Sequence, residues 1–159
     1  MVSSTRRFAG AFAVATVVAA VACGGDDSPP PLRQMSNTYS YSISSDDSPP
    51  HARQDVHYTI QILDRSTRQP IENGIGQLYS SSRPTPEGAA KTWDGLSYGP
   101  EVGTYHAKLN FVISGTWAVA IRFQRDSLHP LEKTEWTQEV MDERPDSLQK
   151  PAVPGPAKP

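Results

Sequence analysis

The chain has 159 residues, a formal net charge of −2 and a hydrophobic content of 36%. That length allows one ordinary domain, and the absence from the sequence of a dense run of Lys and Arg argues against a nucleic-acid partner. The 15 prolines and 11 glycines argue against an α-helical bundle and favour short strands joined by turns.

The first 22 residues have the three parts of an export signal. Arg6 and Arg7 supply a positive start, an apolar stretch follows over 8–21, and small residues lie just before position 23. The apolar stretch is too short to span a bilayer as a helix. The Gly, Asp, Ser and Pro residues that follow could not continue a helix, which argues against a buried N-terminal helix. We therefore predict a cleavable signal peptide over 1–22.

Cys23 is the only cysteine, and it directly follows the predicted cleavage site. Its position resembles the acceptor cysteine of the bacterial lipobox. The resemblance implies that its thiol carries a diacylglycerol, that the new amino terminus is acylated, and that these chains hold the protein at a membrane. The expected location is therefore the cell envelope, facing the periplasm or the exterior. Gly24 follows in place of the Asp that retains some lipoproteins at the inner membrane, which favours the outer membrane; simple secretion is the alternative.

Composition divides the mature chain into three regions. Residues 23–36 are rich in Gly, Asp, Ser and Pro, and they are predicted to form the lipidated cysteine and a flexible tether. Residues 144–159 contain five prolines and are predicted to form a disordered tail. The folded domain is expected over 37–143.

Strands are predicted wherever apolar and polar residues alternate along this domain. In chain order, the alternating segments are 39–43, 56–63, 75–79, 104–112, 117–123 and 134–140. The clearest is the second, which carries Val56, Tyr58, Ile60 and Ile62 on one face. Each of these segments is expected to bury its apolar face.

The segments between the strands carry turn and loop signals. A polar turn is predicted over 64–69, and Asn73-Gly74 predicts a tight turn because both residues tolerate positive φ. Residues 80–99 are predicted to form a long loop that contains Trp93. About seven short strands at this spacing predict an all-β fold, an immunoglobulin-like β-sandwich.

Two consecutive strands in the second half of the domain resemble the YtkA-like/FixH-like family of exported domains. The shared motif is a Gly-x-Tyr strand over 103–111 followed, after a short turn, by a Gly-x-Trp strand over 115–119. The run 57–74 is similar to an earlier strand and Pro-containing turn of that family. The resemblance implies an immunoglobulin-like sandwich and an association with copper handling and respiratory oxidase assembly. The segment 80–88 lacks the His and Met that many members carry in their loops.

Three residues are candidates for a binding site. His57 and His106 fall on the polar phase of their strands, so they should point outward; on neighbouring strands the two imidazoles could bind Cu or Zn, and otherwise they are solvated surface residues. Trp93 either caps the open edge of the sandwich or forms a binding platform for a sugar or a peptide.

The sequence offers no catalytic set, so an enzyme is not expected. No serine lies in a Gly-x-Ser-x-Gly context, and a lipidated Cys23 would leave no free thiol. We predict a membrane-anchored, non-enzymatic envelope lipoprotein whose β-sandwich acts as an interaction or accessory module for an envelope protein. The alternatives are a copper-binding, metallochaperone-like domain and a peptide- or carbohydrate-binding module. No cofactor is expected, except copper under the first alternative.

Overall fold

The computed structural model of the protein describes residues 29–84 and 88–145. The predicted signal peptide, the predicted lipidation site at Cys23 and most of the predicted tail lie outside these residues. Within the described part, no helix is long and apolar enough to cross a membrane.

The predicted all-β fold is confirmed: two antiparallel sheets form a β-sandwich. The described residues form nine strands: β1 (Leu32–Met35), β2 (Tyr39–Ser45), β3 (Asp55–Asp64), β4 (Ile75–Ser82), β5 (Lys91–Gly95), β6 (Ser97–Tyr98), β7 (Thr104–Asn110), β8 (Gly115–Gln124) and β9 (Glu132–Val140). One sheet has the order β1-β2-β3-β7-β6, and the other has the order β5-β4-β8-β9. Six of these strands correspond to the six predicted segments, and the other three, β1, β5 and β6, lack the alternation on which the prediction depended.

The core lies between the sheets and is built from the alternating strands. The four predicted inward residues of β3 are at most 2% exposed. Trp117 of β8 packs edge-to-face on Phe111, with ring centroids 5.2 Å apart, and Phe123 packs in the same way on Tyr105 at 5.3 Å. Edge-to-face contacts of this kind add to the free energy gained by burying large rings.

The prediction of a loop over 80–99 is wrong, because β4 continues to Ser82 and two further strands follow. Ser80 and Ser82 are buried, so the inward face of β4 turns polar where an apolar residue would signal a strand. Their hydroxyls are satisfied locally: that of Ser80 donates to the carbonyl of Ala118 at 3.1 Å, and that of Ser82 accepts from the amide of Ala90 at 3.0 Å. Buried polar groups that are paired in this way are tolerated in a core.

The folded part also extends beyond both ends of the predicted 37–143 domain. Leu32–Met35, assigned to the tether, pairs with β2 from Leu32 opposite Ile43 to Met35 opposite Ser40. At the other end Arg144, assigned to the tail, bonds to the carboxylate of Asp47 at 2.8 Å. These contacts are long-range pairings, which local composition does not report.

A buried carboxylate organises the predicted turn after β3. Asp64 is 7% exposed; it accepts hydrogen bonds from the amide and hydroxyl of Ser66 at 2.9 and 2.6 Å, and from Arg125 at 2.6 Å. The Ser66 hydroxyl bond, the turn amides and the Arg125 guanidinium together hold the pKa of Asp64 below its usual range.

This depressed pKa predicts a stability that falls in acid. The carboxylate stabilises the fold above its unfolded-state pKa of about 3.9, and that contribution is lost as the pH falls toward the folded-state pKa. We expect Asp64→Asn to lower the melting temperature at pH 7, and its difference from the parent chain to shrink below about pH 4. Circular dichroism melts at pH 7, 4, 3 and 2 test this, with exposed Asp142→Asn as the control. A difference that persists undiminished at pH 2 would contradict the argument.

Candidate functional site

Trp93 lies on a strand, β5, and not in a loop, and its side chain is 67% exposed. Its neighbours on either side explain the orientation. The carboxylate of Asp94 accepts the backbone amide of Lys108 at 2.8 Å, and the hydroxyl of Thr92 accepts that of Asn110 at 3.4 Å. Because successive side chains of a strand point to opposite faces, these two bonds to β7 turn Trp93 outward.

The same two bonds cover part of the open edge of the sandwich, which is formed by β7. Strand β6 pairs with β7 only at Tyr105 and His106, so the next part of that edge has no neighbouring strand among the described residues. Thr92 and Asp94 cover it with side-chain acceptors. Trp93 is therefore not the cap of this edge.

Trp93 sits opposite Tyr79 of β4 in the sheet register, so the two aromatic side chains are adjacent on the outer face. The guanidinium carbon of Arg122 lies 4.8 Å from the centroid of the Tyr79 ring, and the ammonium of Lys133 lies 5.7 Å from it. Cations at these distances are attracted to the ring face. Trp93, Tyr79, Arg122, Lys91 and Gln77 border a shallow concavity of about 330 Å³, and we call these five residues the Trp93 face.

The charge of this face is positive. Lys133 beside it is 2.5 Å from the carboxylate of Glu135, and hydrogen bonding to Glu135 and then to Tyr79 raises the pKa of the ammonium. Within the described residues, neither Lys91 nor Arg122 makes an ion pair. The face therefore combines two adjacent aromatic rings with two cations that form no ion pair with a carboxylate of the described residues.

The two candidate histidines lie on neighbouring strands, as a shared metal site would require. His57 is opposite Lys108 and His106 is opposite Thr59, so they are diagonal neighbours on the exposed face, roughly 7–8 Å apart. The chemistry around them does not favour a metal. The ring of His106 is 3.4 Å from the Thr59 hydroxyl and packs against Gly99. Lys108, whose ammonium is 3.0 Å from the Asp55 carboxylate, lies opposite His57 in the strand register. Across residues 29–84 and 88–145, no three His, Cys, Asp or Glu side chains are grouped so that they could hold an ion.

Sequence reasoning found Trp93 but missed Tyr79 and Arg122. The alternation of β4 around buried Leu78 indicates that Tyr79 points outward. No local signal indicates that β5 and β8 flank β4, and it is this pairing that brings Trp93 and Arg122 to either side of the tyrosine. The strand order of the sheet, and not a local sequence motif, brings the residues of the Trp93 face together.

No protein-family model, curated protein or solved structure matches the chain. The YtkA-like/FixH-like resemblance of 103–119 stays a prediction. Function is therefore argued from the surface and its chemistry.

Proposed function

We propose that this protein is a non-enzymatic module of the cell envelope, held to a membrane through a lipid on Cys23, which binds a protein partner through the Trp93 face. The observation that carries the proposal is the outward-facing Trp93, fixed by the bonds of Thr92 and Asp94 to β7 and 67% exposed. An indole held rigidly in water has little to contribute to folding. It has much to contribute to a complex that buries it.

The composition of the face supports a protein partner. Trp, Tyr and Arg are the residues that most often dominate the binding free energy of protein interfaces. Trp93 and Tyr79 are side by side, and the contact of the Arg122 guanidinium with the tyrosine ring orders the side chains of Arg122 and Tyr79 before binding. Preordering reduces the entropy lost in association.

The charge of the face indicates the chemistry of the partner. Arg122 and Lys91 flank the aromatic pair, so a partner that presents Asp or Glu around an apolar residue would complement them. Rim charges of this kind mainly raise the association rate, and their effect falls as ionic strength rises. Binding should therefore weaken in high salt.

The position of the face supports tethering. The N-terminal strand β1 and the last strand β9 bring both described ends to the loop before β3, where Met141 donates its amide to Pro50 and accepts that of Ala52. Trp93 lies opposite Tyr79, and Tyr79 lies opposite Ala120 in the middle of β8. The Trp93 face is therefore halfway along the strands and not at their ends. A tether at one end would leave the side of the sandwich open to a partner in the same envelope.

Site-specific photocrosslinking tests the proposal. A photoreactive amino acid replaces Gln77, within the Trp93 face, or Gln61, exposed on the outer face of the other sheet. We expect a defined protein adduct in intact cells from position 77, absent from position 61, and lost when Arg122→Glu is added to the position-77 variant. The adduct is identified by mass spectrometry and the interaction is repeated with the purified partner.

Equal adducts from both positions, or adducts indifferent to Arg122→Glu, would contradict a specific protein interface. The flat aromatic pair also suits a sugar ring, which makes a polysaccharide the competing ligand. Absence of any protein adduct, together with Trp93-dependent retention on an envelope polysaccharide, would replace the protein partner with a glycan.

The copper alternative is tested by titration. We expect neither Cu²⁺ nor Zn²⁺ to show stoichiometric calorimetric binding that depends on His57 and His106, because a lysine, Lys108, lies opposite His57 in the strand register and the ring of His106 packs against Gly99. The control is the double variant His57→Ala, His106→Ala. Binding of micromolar strength that the double variant loses would make this a metal carrier.

A further inference from the structure

A second cavity opens between the edges of the two sheets, away from the Trp93 face. It measures about 700 Å³ and is bordered by the end of β2, the start of β3, the middle of β9 and the prolines that precede β1. That volume lies within the range of small-ligand sites. Nothing in the proposed protein interface uses it.

Two buried aromatic residues of this cavity carry polar atoms without a hydrogen-bond partner. Tyr58 is 2% exposed and Trp136 is 9% exposed, and both line the cavity. In the part of the chain that the structure describes, nothing bonds to the Tyr58 hydroxyl or the Trp136 indole nitrogen. Because nearly all buried polar groups are paired, two orphans at one cavity indicate a partner from outside the chain.

The other aromatic residues of the core make the contrast plain. The hydroxyl of Tyr105 donates to the carbonyl of Ile71 at 2.9 Å, and the indole of Trp117 donates to that of Ile113 at 3.1 Å. The fold thus pairs buried polar aromatic groups elsewhere among the described residues. Three buried side-chain polar atoms there have no partner: the two aromatic ones are at this cavity, and the third is the amide nitrogen of Gln54.

Past Ile43, the edge of β2 has no partner strand among the described residues. Strand β1 pairs with β2 only as far as Leu32 opposite Ile43, because the preceding residues are prolines, which have no backbone N–H to donate. Ser44 and Ser45 of β2 continue past this point and line the cavity. A strand edge of this kind accepts an extended peptide, which bonds through its main chain.

We propose that this cavity binds a short, extended peptide that is neutral or cationic. A peptide carbonyl accepts the indole N–H of Trp136, a peptide N–H donates to the Tyr58 hydroxyl, and the peptide runs along the open edge of β2. The charge preference follows from the formal charges at the cavity: Asp46 and Asp47 line it, and Arg144, which pairs with Asp47 at 2.8 Å, offsets one of the two, so the described charged residues sum to a negative charge. An anionic peptide would meet like charge.

Nuclear magnetic resonance of the ¹⁵N-labelled full-length chain tests this directly. The probes are a capped Ala-Lys-Ala tripeptide, its Ala-Glu-Ala counterpart and N-acetylglucosamine, which carries the same amide on a sugar. We expect the lysine peptide to shift the indole N–H resonance of Trp136 and to leave that of Trp117 in place. The glutamate peptide and the sugar should bind more weakly.

Two variants keep the test decisive. Tyr58→Phe removes one of the two proposed bonds without removing packing, and we expect it to weaken peptide binding about fivefold. Trp93→Phe, on the other face, should leave binding unchanged and assigns the remaining indole signal. The proposal fails if millimolar peptide leaves Trp136 unmoved, which would leave a bound water as its partner. It also fails if Tyr58→Phe binds as the parent does, or if the sugar binds and the peptides do not.

Discussion

Replacing Trp117 with alanine should lower the free energy of unfolding by about 3–5 kcal/mol. The side chain is fully buried, packs edge-to-face on Phe111 at 5.2 Å and donates its indole N–H to Ile113. Its removal leaves a cavity between the sheets and an unpaired carbonyl. Since domains of this size are stable by roughly 5–15 kcal/mol, the variant should be close to unfolding.

Trp93→Ala is the matched control. It should change the stability little and weaken the binding of the partner strongly. Its side chain is largely exposed, so the stability should change by about 0.5–1 kcal/mol. Binding of the partner should weaken by about 2 kcal/mol or more, which is roughly thirtyfold. Urea unfolding of both variants and a binding titration of Trp93→Ala measure the two effects. A Trp93→Ala variant that binds normally would remove the Trp93 face from the function.

Tyr105→Phe should cost about 1–3 kcal/mol of stability, because it leaves one buried and one partly buried main-chain group unpaired. The Tyr105 hydroxyl donates to the carbonyl of Ile71 and accepts the amide of Gly74, each at 2.9 Å. These bonds hold the turn before β4. The turn cannot be stabilised instead by a side chain at Gly74, because a Cβ there would lie 2.2 Å from the ring of Phe123.

Tyr58→Phe provides the comparison, since the same atom is removed from a hydroxyl that has no partner within the described chain. We expect its stability to be unchanged or slightly higher, because no bond is lost and an unpaired polar group leaves the core. Chemical denaturation of the two variants side by side measures the difference. Equal losses for both tyrosines would show that the Tyr58 hydroxyl is bonded in solution, and this would weaken the case for a peptide in the cavity.

Much of the fold is readable from the sequence because the long strands alternate strictly. The inward residues of β3, β7 and β8 are the ones that the pattern predicts. The pattern does not predict strands in which polar side chains face inward or apolar ones face outward. Strand β4 buries Ser80 and Ser82, and β5 exposes Trp93 while it turns Asp94 toward β7. The pattern misses β1 for a different reason, because β1 is a strand through its pairing with β2 and not through burial of one face.

The candidate site was less readable than the fold. Trp93 was visible as an aromatic residue without a core position, but its neighbours depend on which strands pair. The alternation correctly predicts that His57 and His106 point outward, and the two residues do lie on neighbouring strands. Whether two imidazoles converge is decided by Lys108, Thr59 and Gly99 beside them, which are contacts that a strand pattern does not encode.

The acceptor side chains of Thr92 and Asp94 have a consequence for solubility. An uncovered strand edge is a template on which a second chain can add, and crowded compartments favour such assembly. On β7 the amide of Lys108 is withheld from that reaction by one carboxylate, at 2.8 Å. The same residue that turns the indole outward thus occupies an edge amide with which a second chain would otherwise pair.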